Sequence, residues 1–199
     1  MTSSPWGDDP PGATPLDAEE FEQLIPTHIA TRADLNAAER DNILDARVWA
    51  FTRNVMSVDA LLQISMVDAI HRRMFDHVWQ WAGRRRTRST NIGVEPAQIV
   101  MQLRDALDDA TFWHTNVTFG LHEIAVRIHH RLVQVHPYVN GNGRHARFIA
   151  DLYLHLIGEA SLPWKPGESD LSESRNAYIS ALREADRGDY SSLIAYAVG

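Results

Sequence analysis

Helical spacing of apolar residues, repeated in segment after segment, is what most restricts the fold open to this chain. Leu44, Val48, Phe51 and Val55 recur at that spacing, and Val67, Ile70, Met74 and Val78 repeat it. Ile99, Leu103, Ala106 and Ala110 follow, then Leu121, Ile124, Ile128 and Leu132. Each run predicts an amphipathic helix with one face turned to a core. Phe148, Ile149, Leu152, Tyr153 and Leu156 are apolar over more than one face, which predicts a buried central helix opening near Arg144. Between Gly83 and Pro96 the periodicity fails, and Thr87, Ser89, Thr90, Asn91 and Gly93 predict an irregular stretch or a short hairpin. A short helix from Asp17 to Ile25 is expected to end at Pro26, and two more should open near Ser172 and after Gly188. Pro163, Pro166 and Gly167 mark the connection before them. Residues 1–15 carry Pro5, Pro10, Pro11 and Pro15 with few large apolar groups, so a mobile or surface-draped tail is expected there.

The 199 residues, 44% of them hydrophobic, suffice for one domain with a real core. There is no cysteine, which excludes a disulfide framework and a thiol nucleophile and fits a reducing cytoplasm. No apolar run approaches a membrane span, and Met1-Thr2-Ser3-Ser4-Pro5 has neither the basic start nor the apolar centre of a signal peptide. A soluble, cytoplasmic protein is the expectation. The formal net charge of −7 argues against broad binding to nucleic acid. Arg84-Arg85-Arg86-Thr87-Arg88 is the local exception, either a solvated positive turn or a functional surface.

Between the fourth and fifth apolar runs lies His136-Pro137-Tyr138-Val139-Asn140-Gly141-Asn142-Gly143-Arg144-His145-Ala146-Arg147. Gly141 and Gly143 let the backbone turn its N–H groups toward an anion, and a helix beginning there adds its positive end. Arg144 and Arg147, three apart, share a helix face and could fork onto distal phosphates. His136, on the other lip of the turn, could take a proton from an attacking hydroxyl near neutral pH. His129-His130 with His136 lack the i, i+4 spacing that sets two imidazoles on one helix face for a metal, and His122-Glu123 lacks the next histidine of a zinc-protease motif. Core or surface histidines are the better expectation.

These twelve residues resemble the signature of the Fic family, His-x-Phe-x-Asp/Glu-Gly-Asn-Gly-Arg-x-x-Arg, and more narrowly its mobile mystery protein B group. Trp79-Gln80-Trp81-Ala82-Gly83 with Arg86 is similar to the family's approach to its flap. Arg175, Tyr178-Ile179, Ala181-Leu182, Ala185-Asp186 and Gly188-Asp189 are similar to its last helices. The resemblance spans roughly residues 40 to 197 and implies an all-α, Fic-like helical bundle with a short β-hairpin flap beside the active-site loop. It divides the chain into an N-terminal tail and short helix over 1–37, with a regulatory role open to it, and a Fic domain over 38–199. It implies a protein adenylyltransferase that moves AMP from ATP to a Ser, Thr or Tyr hydroxyl of a target protein. His136 would be the catalytic base, with Gly141, Asn142, Gly143, Arg144 and Arg147 binding the nucleotide. The flap around Thr87 to Val94 would hold the target by main-chain pairing.

Two positions depart from the signature. Tyr138 keeps the aromatic anchor and adds a hydroxyl that needs a partner. Asn140 replaces the carboxylate that helps hold Mg2+ against the ATP phosphates, leaving an uncharged amide oxygen as a weak metal candidate. Other Fic-type phosphate or nucleotide transfer, or a catalytically weak nucleotide-binding module, therefore stay open as alternatives. Gly143 favours AMP transfer over the Doc-type loop, which carries lysine there. Many Fic proteins are restrained by Ser/Thr-x-x-x-Glu-Gly/Asn, which no segment matches fully. Ser180 to Glu184 is followed by Ala185, and Glu22 has Ala18 four residues before it. Glu22 toward Arg147 is the inhibitory pairing this leaves. The expected partner is a protein substrate, with no nucleic acid and no membrane, and a homodimer stays open.

Overall fold

The computed structural model describes residues 18–52, 56–164 and 171–199, and over them the chain is helical with no strand. The elements are α1 (Ala18–Phe21), α2 (Arg32–Phe51), α3 (Val58–Leu61), α4 (Ile64–Phe75), α5 (Ile99–Asn116), α6 (Leu121–Val135), α7 (Asn142–Leu156), α8 (Leu171–Ala185) and α9 (Ser191–Val198). The tail expected over 1–15, together with Asp17, Val55, Pro166 and Gly167, lies outside the described residues. No helix among them is long and apolar enough to cross a membrane.

Helix α7 is the axis. Ala146, Ile149, Ala150, Leu152, Tyr153 and Leu154 are all fully buried on it, as its all-round apolar pattern requires. Helices α2, α3, α4 and α6 pack around it, α5 lies outside α6, and α8 and α9 pair with each other, with α9 also against α6. Runs 67–74 and 99–110 bury the stripes that their spacing predicts, and the run from 121 does so from Ile124 to Leu132, with Leu121 half-buried.

Helix α2 corrects one expectation. Its apolar stripe faces out, with Leu44 58% and Val48 59% exposed, and its inward face is Leu35, Glu39, Asn42, Ala46 and Ala50. Two polar side chains cause this. Asn42 donates to Arg73 O at 2.9 Å and accepts from the His77 N–H at 3.0 Å, closing the C-terminal end of α4. Glu39 points to Trp79 and Arg144. Thr31 starts the helix with a capping box: its hydroxyl accepts the Asp34 N–H, and the Asp34 carboxylate accepts the Thr31 N–H.

The expected β-hairpin flap is likewise corrected. From 84 to 95 the chain is irregular with bends, and its one bridge joins Arg85 to Tyr138. Local side-chain bonds take the place of a ladder: Ser89 donates to Glu95 and Thr90 to Ile92 O, an alternative that competes with strand pairing. The Arg86 guanidinium gathers the Val94 and Arg88 carbonyls that strands would have shared with each other.

Candidate active site

Helix α6 ends at Val135 because Pro137 disfavours helical backbone at the residue before it. His136 adopts the left-handed conformation instead, φ 52° and ψ 59°, and its N–H caps Leu132 O. That conformation is uncommon for a side-chain-bearing residue and typically persists where the surroundings over-determine it. The ring is nearly buried, and its Nδ1 faces Val133 O at 3.3 Å. A carbonyl only accepts, so the proton sits on Nδ1 and the lone pair on Nε2. Burial holds the ring down to about 4, the Val133 carbonyl offsets part of this, and the Arg86 guanidinium adds to it. At neutral pH the imidazole is therefore an uncharged proton acceptor.

The loop after it is held from beneath. The Tyr138 N–H donates to Asn142 Oδ1 and Asn142 Nδ2 donates back to Tyr138 O, both at 2.9 Å. Asn142 thus spends its side chain closing the loop, and offers its main-chain N–H at the mouth. The Tyr138 hydroxyl, the addition relative to the signature, donates to Asp68 at 2.8 Å, and the other oxygen of Asp68 pairs with Arg85. His71 stacks on the Tyr138 ring with centroids 3.7 Å apart. Because the Gly83 N–H donates to His71 Nδ1, the proton of His71 lies on Nε2 and reaches Asn140 O at 3.1 Å. Burial above all, then His145, keeps His71 well below the usual imidazole range, so this strut is neutral.

Gly141 then takes φ 77°, and a Cβ there would lie 2.5 Å from Phe75 Cζ, so only glycine fits. Its N–H is taken by Asn140 Oδ1 at 2.6 Å. The chain enters α7 at Asn142, and the first N–H groups of a helix have no acceptor within it. Those of Asn142, Gly143 and Arg144 form the amide-lined end where the macrodipole favours an anion. Gly143 is helical, and a Cβ on it would meet nothing within 4 Å. Arg144 donates to Glu39 Oε2 at 2.6 Å and lies over the Phe75 ring. Arg147 turns elsewhere, its guanidinium 4.8 Å from the Tyr178 ring centroid and 5.7 Å from that of Trp164. The two arginines flank the start of α7 from different neighbours.

Arg86 joins the 84–95 segment to this site. It is buried, with Nε donating to His136 O at 2.7 Å and the guanidinium reaching the carbonyls of Arg88, Val94 and Val135. Gly93 closes against the base: a Cβ on it would lie 2.5 Å from His136 Cβ. Within the arginine run Arg86 is thus buried and Arg85 pairs with Asp68, while Arg84 and Arg88 are exposed and Arg88 pairs with Glu19 at the surface. Sequence reasoning missed His71, Asp68 and Glu39. Position 71 did lie beside Ile70 and Met74 on the inward stripe of α4, which was its only signal.

Glu22 is exposed in the turn after α1, and no ion pair among the described residues joins it to Arg147. Arg144 is the signature arginine that meets a carboxylate, from Glu39. His129 and His130 are buried core residues, bonded to the Tyr178 and Tyr190 hydroxyls. A protein-held magnesium does not fit the donor set. Asn140 supplies one neutral oxygen already accepting an N–H, and Asp68 and Glu39 are each committed to an arginine and a second donor.

A helical domain that ends one core helix on a histidine and opens the next with an amide-lined turn defines a class, and residues 61–154 match the model of the Fic/DOC family. The matched stretch is just under half of the chain. It is 30% identical over 151 residues to protein adenylyltransferase fic-1 of Caenorhabditis elegans, a match covering 71% of this chain and 26% of that protein. The chain therefore spans about a quarter of the length of that relative. A solved fragment of Fic-1 from Caenorhabditis elegans superposes with a TM-score of 0.63 at 25% identity, covering 89% of this chain and 51% of that one. The Fic domain of a Bartonella quintana effector protein with bound ADP shares the fold, with a TM-score of 0.65 at 15% identity, covering 90% and 94%.

Proposed function

We propose that this protein transfers AMP from ATP to a Ser, Thr or Tyr hydroxyl of a target protein. The observation that carries the proposal is the pairing of a neutral, oriented imidazole at the end of α6 with the amide-lined start of α7, across a loop fixed by His71, Tyr138 and Asn142. Preorganisation of this kind is what phosphoryl-group transfer draws on most. His136 Nε2 takes the proton of the target hydroxyl as its oxygen bonds to the α-phosphorus, and the bond to pyrophosphate breaks. The N–H groups of Asn142, Gly143 and Arg144 stabilise charge on the transferring group, and Arg144 and Arg147 grip the leaving phosphates. The loop itself offers no carboxylate to a magnesium ion, Asn140 standing at that position. The segment from Thr87 to Val94, beside the base, presents the target. The likeness to an adenylyltransferase in sequence, and to an ADP-bound domain in fold, supports the same nucleotide.

Labelled ATP tests this directly. Self-labelling or labelling of a lysate protein is expected for the native chain and is lost in His136→Ala, because a general base contributes about 10²–10⁴-fold. ATP binding by calorimetry should persist in that variant, and loss of binding would make the histidine structural. A nucleotide-binding module without transfer is the second reading, favoured by the commitment of Asn140 Oδ1 to Gly141. Labelling by Asn140→Asp alone, with none by the native chain, would select it.

A further inference from the structure

We infer that Glu39 is a positioning residue for Arg144, holding it ready for the outer phosphates, an inference that rests on the nucleotide-transfer reading above. Arg144 is a long side chain, 42% exposed, at the open end of α7. Left alone it would lose considerable rotamer freedom on closing around an anion. Here that ordering is already made. Its Nη1 donates to Glu39 Oε2 at 2.6 Å, and its guanidinium carbon sits 5.0 Å from the Phe75 ring centroid. Phe75 is also the ring against which Gly141 is pressed, so one side chain sets the position of both the turn and the arginine.

Glu39 itself is fixed. It is 6% exposed, and its second oxygen accepts the Trp79 indole N–H at 2.8 Å, from a buried ring stacked on Trp81. A carboxylate that merely competed with phosphate would have to leave when phosphate arrived. Glu39 has no solvent to move into, and parting from Arg144 would strand a buried charge with one indole for company. The pair is built to persist when an anion binds. Its one observed bond uses one of the five guanidinium donors.

Glutamine at 39 tests this, because its single acceptor oxygen can serve Trp79 or Arg144 but not both. In a folded Glu39→Gln variant, calorimetry should show ATP binding weakened roughly 3- to 10-fold, the scale of ordering one long side chain. Binding of AMP, which has no outer phosphates, should not change. In an Arg144→Ala background the same substitution should leave ATP affinity unaltered. Should Glu39→Gln not fold, Glu39→Asp, which keeps both acceptors one methylene shorter, should show a smaller loss in the same direction. Unchanged or tightened ATP binding in the variant that folds, or equal losses for ATP and AMP, overturns the inference. Absence of ATP binding by the native chain overturns both this and the nucleotide reading.

Discussion

Mild acid should destabilise this protein, and the magnitude follows from its buried imidazoles. His136 and His145 are each held down to about 4, in both cases chiefly by burial, and His71, His129 and His130 are lowered for the same leading reason. An imidazole whose folded pKa lies below its unfolded value binds fewer protons in the native state, so stability rises with pH across the interval between them. That stability is complete above the unfolded value of 6.5 and drains away as pH falls toward 4. Between pH 7 and pH 5, His136 and His145 together remove about 4 kcal/mol, roughly 2 kcal/mol apiece. The other three rings act in the same sense. Burial pushes the Asp151 carboxyl up, which opposes the trend only near the bottom of the interval. Against a typical domain stability of about 5–15 kcal/mol, the loss is a large share. Urea titrations at pH 7, 6 and 5 and constant ionic strength should show the unfolding free energy falling by at least about 4 kcal/mol with an unchanged slope. A fall of less than about 1 kcal/mol would mean the rings are solvated or already charged in the native state, and would remove the basis for a neutral His136.

The two turn glycines should separate stability from binding. Gly141→Ala combines a left-handed backbone with a clash on Phe75 and should cost about 2–4 kcal/mol in thermal or chemical unfolding. Gly143→Ala meets nothing within 4 Å and should leave stability level or slightly raised while weakening ATP binding, since its new methyl enters the space in front of the anion-facing amides. Asn142→Ala strips both partners from the buried Tyr138 main chain and should cost about 2–4 kcal/mol, measured by the urea midpoint.

How much of this was legible beforehand depended on whether a side chain's partner was near in sequence. Helices α4 to α7 follow from apolar spacing because withdrawal from water dominates the energetics of a stripe of Ile, Leu and Val. The turn at Gly141 was legible because only glycine tolerates its backbone there. Helix α2 was legible as a helix but not in its facing, since Glu39 and Asn42 are drawn inward by groups 31 to 105 residues away that no local pattern marks. The burial of Arg86 was hidden for the same reason: its acceptors are carbonyl oxygens, which every residue owns and no sequence displays. His71 was hidden because a histidine in a core stripe looks like filler until its two nitrogens are found bonded to loops on either side.

The grip of Arg86 on main-chain oxygens alone has a consequence for how such a chain can diversify. Positions 91 and 92 contribute no side chain to that grip, nor to the bonds of Ser89 and Thr90. Their chemistry can be rewritten wholesale, exchanging one recognition surface for another, while the anchor and the histidine beneath it keep their places.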